Sequence, residues 1–275
     1  LRLRLCGPGD FRKHFCNDLR KNRHTKMSIS LFVIWGPTST GKTKASVSFS
    51  KLVGAPVVSL DRIQCFPELS TGSGRPSLLE LEGSERIYLA SRRLSEGVVS
   101  AADANTMLKK HVSRISMDHP RLILEGGSIS LLNEIMSDPY WRNGFKWSSK
   151  RLRLGDPAVF MARATRRVHD MFYPIDGAAS LLDELVLAWA QVAHRKLLED
   201  IDGYRAAILF ARRSGLQVED LPSISAALKE SLIKEIACEY LRHAQWQERD
   251  FLPAPSSWTP IGSLPRQAEA HSLCW

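Results

Sequence analysis

A glycine, four residues, a second glycine, then lysine and threonine occur together at Gly36, Pro37, Thr38, Ser39, Thr40, Gly41, Lys42 and Thr43. The run follows the apolar stretch Leu31 to Trp35 and precedes a helix-forming one, which is the context a phosphate-holding loop needs. The two glycines let consecutive N–H groups turn inward. A helix starting near Thr43 adds the positive end of its dipole. Lys42 offers a point charge to terminal phosphate oxygens, and the Thr43 hydroxyl is placed to hold Mg²⁺. Thr38 sits inside the loop, where its hydroxyl serves either a bound diphosphate or a local turn. The loop does not say whether the phosphate is the group transferred or the group that leaves.

A second acid–base candidate lies in Ser59-Leu60-Asp61-Arg62-Ile63-Gln64. Asp61 falls just past the carboxyl end of a predicted strand, on the sheet edge where ligands bind and where the phosphate loop also opens. A carboxylate there can take a proton from a nucleophile, cap a turn, or hold a metal through water. Arg62 is placed either to meet a phosphate or to pair with the adjacent Asp61. Glu125, after Arg121 to Leu124, leaves the usual metal-orienting acid of a kinase ambiguous.

The elements that must position these groups alternate through the first half. Strands are predicted at Leu31 to Trp35, Pro56 to Leu60, Arg121 to Leu124 and Lys150 to Leu154. Helices are predicted at 43–52, 84–94, 100–115 and 129–136. Alternation of this kind implies a parallel sheet covered on both faces. The second half reads as helices at 157–172, 181–189, 204–213 and 226–247. The expected architecture is α/β, a P-loop NTPase-like parallel sheet flanked by helices, with a helical C-terminal half. Residues 1–28 are taken as an extension, 29–155 as the phosphate-loop core, 156–252 as the helical portion completing the site, and 253–275 as a poorly ordered tail.

Charge and cysteine usage narrow the class. The net charge is +9, but residues 1–29 hold eight basic and two acidic residues, so the remainder carries +3. That is weak support for a nucleic-acid surface. Met27 stands just before the first strand, so residues 1–26 read as a disordered arm or upstream translation, a targeting role being the other option. Five scattered cysteines without a C-x-x-C pair argue against a disulfide framework or zinc site and fit a reducing compartment. No apolar stretch approaches the roughly 20 residues a bilayer span needs.

Taken together, GPTSTGKT, LDRIQCFPELSTGSGRP, LILEGGSISLLN, EDIDGYRAAILFAR and EYLRHAQWQERDF resemble the bacterial adenylate dimethylallyltransferases, the isopentenyltransferases of cytokinin biosynthesis. The resemblance runs in order over residues 30–252. It implies transfer of a dimethylallyl group, or its hydroxylated analogue, from the diphosphate to the exocyclic amine of AMP. The loop Gly36 to Thr43 would then grip the leaving diphosphate, with Mg²⁺ on Thr43. Thr38 would bond its bridging oxygen; one such donor is worth about 3 kcal/mol, roughly a hundredfold in rate. Asp61 would be the general base. By the same resemblance Asp61, Ser73 and Arg167 face the nucleotide, where Arg62 is also placed, while Asp202 and His243 line the prenyl end; Tyr240, three residues before His243, can lean over the same pocket. Arg167 shares its helix with Arg163 and Arg166, so a solvated face is the plain alternative. Phe66 replaces a cysteine often found in the family, and residues 173–179 differ freely. A cytoplasmic bacterial monomer is expected, with a host-cell compartment possible after delivery to a plant, and no nucleic-acid or membrane partner. The rivals are a tRNA dimethylallyltransferase, a small-molecule kinase and a non-catalytic nucleotide-binding protein. No basic, aromatic-rich insertion favours the first.

Overall fold

The computed structural model describes residues 28–175 and 177–262. The expectations for residues 1–26 and for the tail beyond 262 lie outside these residues.

The apolar run ISLFVIW forms β1 (Ile29–Trp35), nearly all of it shielded, as a central parallel strand requires. The phosphate loop follows and feeds α1 (Lys42–Val53), which ends at Gly54 in the left-handed conformation. Next come β2 (Val57–Ser59), a short α2 (Leu78–Leu81) and β3 (Arg86–Ile87). Ser100 caps α3 (Ala101–Ile115) by accepting from the Asp103 amide. β4 (Arg121–Gly126), α4 (Ile129–Ser137) and β5 (Phe145–Arg151) complete the alternating half.

All strand pairings are parallel, in the order β3-β2-β4-β1-β5 and a last strand, β6 (Thr259–Pro260), beside β5. β2, β4 and β1 are therefore neighbours. Asp61, the Gly126-Gly127 turn and the phosphate loop all emerge from the same end of three adjacent strands. That adjacency brings together groups far apart in the chain.

The helical half packs over that end. Asp156 caps α5 (Pro157–Phe172), with Pro157 at its first turn. Ser180 and Asp183 form a reciprocal capping box on α6 (Leu181–Trp189). α7 (Val192–Glu199) and α8 (Tyr204–Arg213) follow, and α9 (Ala226–Asp250) runs along α5. One apolar cluster joins Phe66 and Leu69 of the first half to Phe160, Leu185, Tyr204 and Ile236 of the second. Each large side chain withdrawn from water in it contributes about 1.5–3 kcal/mol.

Four expectations are corrected. The helix over 84–94 is instead β3, with a 3-10 turn at Leu94–Glu96, because Arg86 pairs with a buried acid and Leu89 packs into the sheet core. The fourth strand begins earlier, at Phe145, since Trp147 is buried and the register places Phe145 to Arg151 beside β1. Glu125 lies within β4 rather than after it. The 253–275 segment is not all loose tail: Trp258 stacks on Trp147 at 4.6 Å, and β6 closes the sheet edge with Pro260 at a position edge strands tolerate.

That last contact makes a prediction. Trp258→Ala should lower unfolding free energy by about 3 kcal/mol in a urea titration, the typical loss for a buried tryptophan. An unchanged midpoint would show that residues 253–262 add nothing to the core.

Candidate functional site

The phosphate loop has a shape only glycine permits at its first position. Gly36 has φ +144°, and a Cβ there would stand 2.2 Å from the Leu152 carbonyl oxygen. β1 thus runs hard against the segment leaving β5, which also bonds it through Leu152 N–H to Trp35 O at 2.7 Å. Gly41 is left-handed at φ +89° with open space around it, so conformation alone selects glycine there. Ser39 is also left-handed, at φ +54°, and its buried hydroxyl oxygen has no protein partner. Such a group in a cavity wall suits a ligand oxygen.

The loop residues divide into braces and free donors. The Thr40 hydroxyl donates to Pro37 O at 2.8 Å, so its side chain braces the loop. The ammonium of Lys42 donates to the same carbonyl at 2.6 Å. Poor solvation pulls the Lys42 pKa down to about 8; Glu125 and Asp61 partly oppose this, while Arg167 and Arg86 reinforce it. The hydroxyls of Thr38 and Thr43 face the cavity and make no hydrogen bond among the described residues.

Asp61 meets one of its three sequence readings directly, the turn cap. Its Oδ1 accepts from the Ile63 N–H at 2.9 Å and the Gln64 N–H at 3.3 Å, closing a turn. Its Oδ2 has no hydrogen-bond partner among the described residues. Desolvation raises its pKa; the two amides and Lys42 pull the other way, and Glu125 adds to the rise. A carboxylate with one oxygen anchored and one free, made more basic by burial, is suited to proton abstraction.

Arg62 does not pair with Asp61. Its guanidinium donates to Val99 O at 2.8 Å and to the hydroxyls of Ser130 at 3.0 Å and Ser128 at 3.4 Å. These bonds tie the turn after β4 to the turn after β2, so the expected phosphate contact gives way to a bracing role. Ser73 lines the cavity with its hydroxyl donating to Ser70 O at 3.3 Å. Arg167 reaches in from α5 and donates to Gly74 O at 3.1 Å, whereas Arg163 and Arg166 face solvent. Only the third arginine therefore belongs to the site. Its Nη2 lies 2.3 Å from where a Gly74 Cβ would be, so the TGSG turn needs glycine there.

In the helical half, His243 Nδ1 lies 2.5 Å from Asp202 Oδ2, and Arg205 pairs with the same carboxylate. Tyr240 is three residues before His243 on one face of α9. Its phenol is pushed well above its ordinary pKa by burial, and the nearest partner of its hydroxyl is Met171 Sδ at 3.9 Å. Both halves together enclose a cavity of about 810 Å³, and of the site residues expected from the sequence all but Gly36, Pro37 and Thr40 line it.

Three supports escaped the sequence reading. Glu125 is buried against Arg86, Oε2 to Nη2 at 2.6 Å, in the wall of the cavity. Arg86 keeps buried Nε and Nη1 atoms without partners. Truncating either member of such a pair typically costs 3–5 kcal/mol. Glu184, legible only as a helix-start acid, accepts from the Thr71 N–H at 2.8 Å, the Gly72 N–H at 2.9 Å and the Tyr204 hydroxyl at 2.7 Å. Burial raises its pKa against these donors. It holds the TGSG turn from below. Gln247 accepts from the Thr38 N–H at 2.7 Å and donates to Gly127 O at 2.8 Å. Its spacing of seven from Tyr240, which returns to the same helix face, was the available signal.

Among the described residues no group of three or more His, Cys, Asp or Glu side chains is arranged to hold a metal. Thr43 and Asp61 each bring one hard oxygen donor to the cavity. This donor set fits Mg²⁺ carried largely by a ligand's own phosphate oxygens and waters, not a cation in a protein cage.

The comparisons agree with this arrangement. A family model described as Isopentenyl transferase matches residues 29–261. An adenylate dimethylallyltransferase of Agrobacterium tumefaciens (strain T37) is 51% identical over 222 residues, covering 80% of this chain and 90% of the relative. One from Ralstonia solanacearum is 47% identical over 232 residues, covering 84% and 98%. Among solved structures, a tRNA delta(2)-isopentenylpyrophosphate transferase from Staphylococcus epidermidis superposes with TM-score 0.54 at 16% identity, covering 84% of this chain and 93% of that one. This last likeness concerns the fold. With a family match that spans both the phosphate-loop sheet and the helices closing over it, the chain belongs to the isopentenyl transferase family.

Proposed function

We infer that the chain is an adenylate dimethylallyltransferase, moving a dimethylallyl group from its diphosphate to the exocyclic amine of AMP, an entry step to cytokinins. The observation that carries this reading is one cavity that combines a phosphate cradle, a carboxylate with a free oxygen, and an apolar wall of Met171, Ile201, Tyr240 and Trp246. Relatives 47–51% identical bear that name.

The chemistry follows from those parts. The donor's diphosphate lies in the cradle with its five-carbon end toward the apolar wall. As the allylic C–O bond breaks, its electron pair goes to the diphosphate, where loop N–H groups, Lys42 and the hydroxyls of Thr38 and Ser39 meet the growing charge. Mg²⁺ held by Thr43 supplies further neutralisation of the diphosphate when bound. The adenine amine is a weak nucleophile because its lone pair is delocalised into the ring. Its nitrogen forms the new C–N bond to the allylic carbon as Asp61 Oδ2 takes the proton. Ser73 and Arg167 are suited to the nucleotide's ribose-phosphate side. The Asp202–His243 pair is a polar feature in the apolar region and suits a hydroxylated donor.

A kinase reading is disfavoured by Glu125. The acid best placed to orient a metal near the phosphates is paired with Arg86 instead. Action on free nucleotide, not tRNA, and a monomeric, cytoplasmic existence belong to the same proposal. Among the described residues no helix is long and apolar enough to cross a membrane.

Incubation with dimethylallyl diphosphate should give prenylated AMP by mass spectrometry, and little product with unmodified tRNA. Asp61→Ala should keep binding of both substrates yet lose turnover by at least about a hundredfold. Product on tRNA alone, or full activity of the variant, would overturn the reading. Lys42 gives a second prediction. Near pH 8 about half of this side chain is neutral in the free protein, and a bound diphosphate raises its pKa. Calorimetry of diphosphate binding in buffers of different ionisation heat should show uptake of about half a proton at pH 8 and almost none by this group at pH 6.5. Lys42→Met should remove the pH 8 uptake; identical uptake in the variant would assign it elsewhere.

A further inference from the structure

Gln247 joins three segments at the base of the cradle. It belongs to α9, it is 6% exposed, and its carboxamide is engaged at both its oxygen and its nitrogen. Oε1 accepts from the Thr38 N–H inside the phosphate loop, and Nε2 donates to the carbonyl of Gly127, in the turn after β4. One neutral side chain that accepts at one atom and donates at the other fixes which way the amide faces; the reverse orientation would oppose donor to donor and acceptor to acceptor. The meeting point is tight. A Cβ on Gly127 would stand 2.7 Å from Gly36 O, 3.2 Å from Gln247 Nε2 and 3.6 Å from Lys42 Nζ.

The same helix carries the apolar end of the site. Tyr240, His243 and Gln247 are spaced i, i+3, i+7 on one face, so Tyr240 and Gln247 stand about 10 Å apart along the axis. This is comparable to the length of an extended dimethylallyl diphosphate. The next residue anchors α9 against sliding: Glu248 accepts from Arg151 at 2.9 Å, from Arg153 at 2.7 Å and from the Leu154 N–H at 3.1 Å. Phe251 then packs edge-on against Trp35 at 5.2 Å, directly under the loop.

We propose that Gln247 is a positioning residue for the leaving group. It registers the Thr38 segment of the cradle against α9, so that one rigid helix sets the distance between the diphosphate and the apolar end of the donor. This rests on the reading of the cradle as the leaving-group site. Gln247 need not touch the substrate; it acts through the Thr38 amide and the Gly127 carbonyl.

The test uses the full chain carrying Gln247→Met, which keeps length and approximate volume and removes both hydrogen bonds. Inorganic diphosphate and AMP are titrated separately by calorimetry, and steady-state kinetics are measured with each substrate varied. Inorganic diphosphate should bind roughly tenfold more weakly. The kcat/KM for the prenyl donor should fall about 10- to 100-fold, while AMP affinity should change less than about twofold. Equal weakening of both ligands, or no change in either, would overturn the proposal, since a merely structural defect has no reason to single out diphosphate. If Gln247→Met loses its cooperative unfolding transition, Gln247→Glu is read the same way. It keeps the acceptor but loses the donor and adds a negative charge, so its diphosphate affinity should fall further than tenfold, again with AMP spared. Wild-type protein that binds diphosphate but turns over no prenyl donor would remove the prenyltransfer reading, and the titrations would still decide the role of Gln247.

Discussion

Lys42 is held in poor solvent, folded onto a carbonyl of its own loop, with its positive charge only weakly favoured. An ammonium so placed gains most when several negative charges arrive at once, because burial that penalises it alone strengthens its attraction to an anion. The rest of the molecule maintains that situation. Gly36 lets β1 press against Leu152, fixing where the loop begins. Pro37 O gathers Thr40 and Lys42. Arg86 pairs with Glu125, so this acid in the cavity wall cannot simply capture Lys42. Were that acid unpaired, the lysine would have a permanent partner and the cradle less attraction for phosphate.

The sheet and the helices contribute different kinds of precision. Strand order places the phosphate loop, the Gly127 turn and Asp61 side by side, with backbone geometry doing the positioning. The helices add groups that must approach from above: Arg167 from α5, Glu184 from α6, and Tyr240, His243 and Gln247 from α9. Arg167, Glu184 and Gln247 each reach a turn of the first half. Glu184 and Arg167 grip the TGSG turn from two sides, and Gln247 and Glu248 grip the phosphate loop and the strand leaving the sheet. A cleft closed this way can exclude water from a cation-like allylic carbon, which bulk water would otherwise capture.

Much of this was readable from residue types. The phosphate loop and the helices over 100–115, 157–172 and 181–189 follow from local patterns that the structure obeys. Asp61 was placed correctly because strand ends in parallel sheets are predictable. What stayed hidden depends on partners distant in sequence. Nothing near Arg86 announces Glu125, so a charged, polar stretch reads as helix when it is a strand. Arg62 beside Asp61 suggests a local pair, yet Val99, Ser128 and Ser130 outcompete the neighbour. Trp258 sits in a Pro/Ser-rich segment whose composition suggests disorder, and only its stack on Trp147 shows otherwise.

If the cradle holds the group that leaves, the bond that breaks is the donor's allylic C–O bond. A donor labelled with ¹⁸O at the oxygen bridging carbon and phosphorus tests this directly, with AMP as acceptor and mass spectrometry of both products. If the allylic C–O bond breaks in the cradle, all of the label departs in diphosphate and none appears in the nucleotide. Label retained on the five-carbon group, or a nucleotide product heavier by a phosphoryl group, would mean that a P–O bond breaks and that the loop serves phosphoryl transfer.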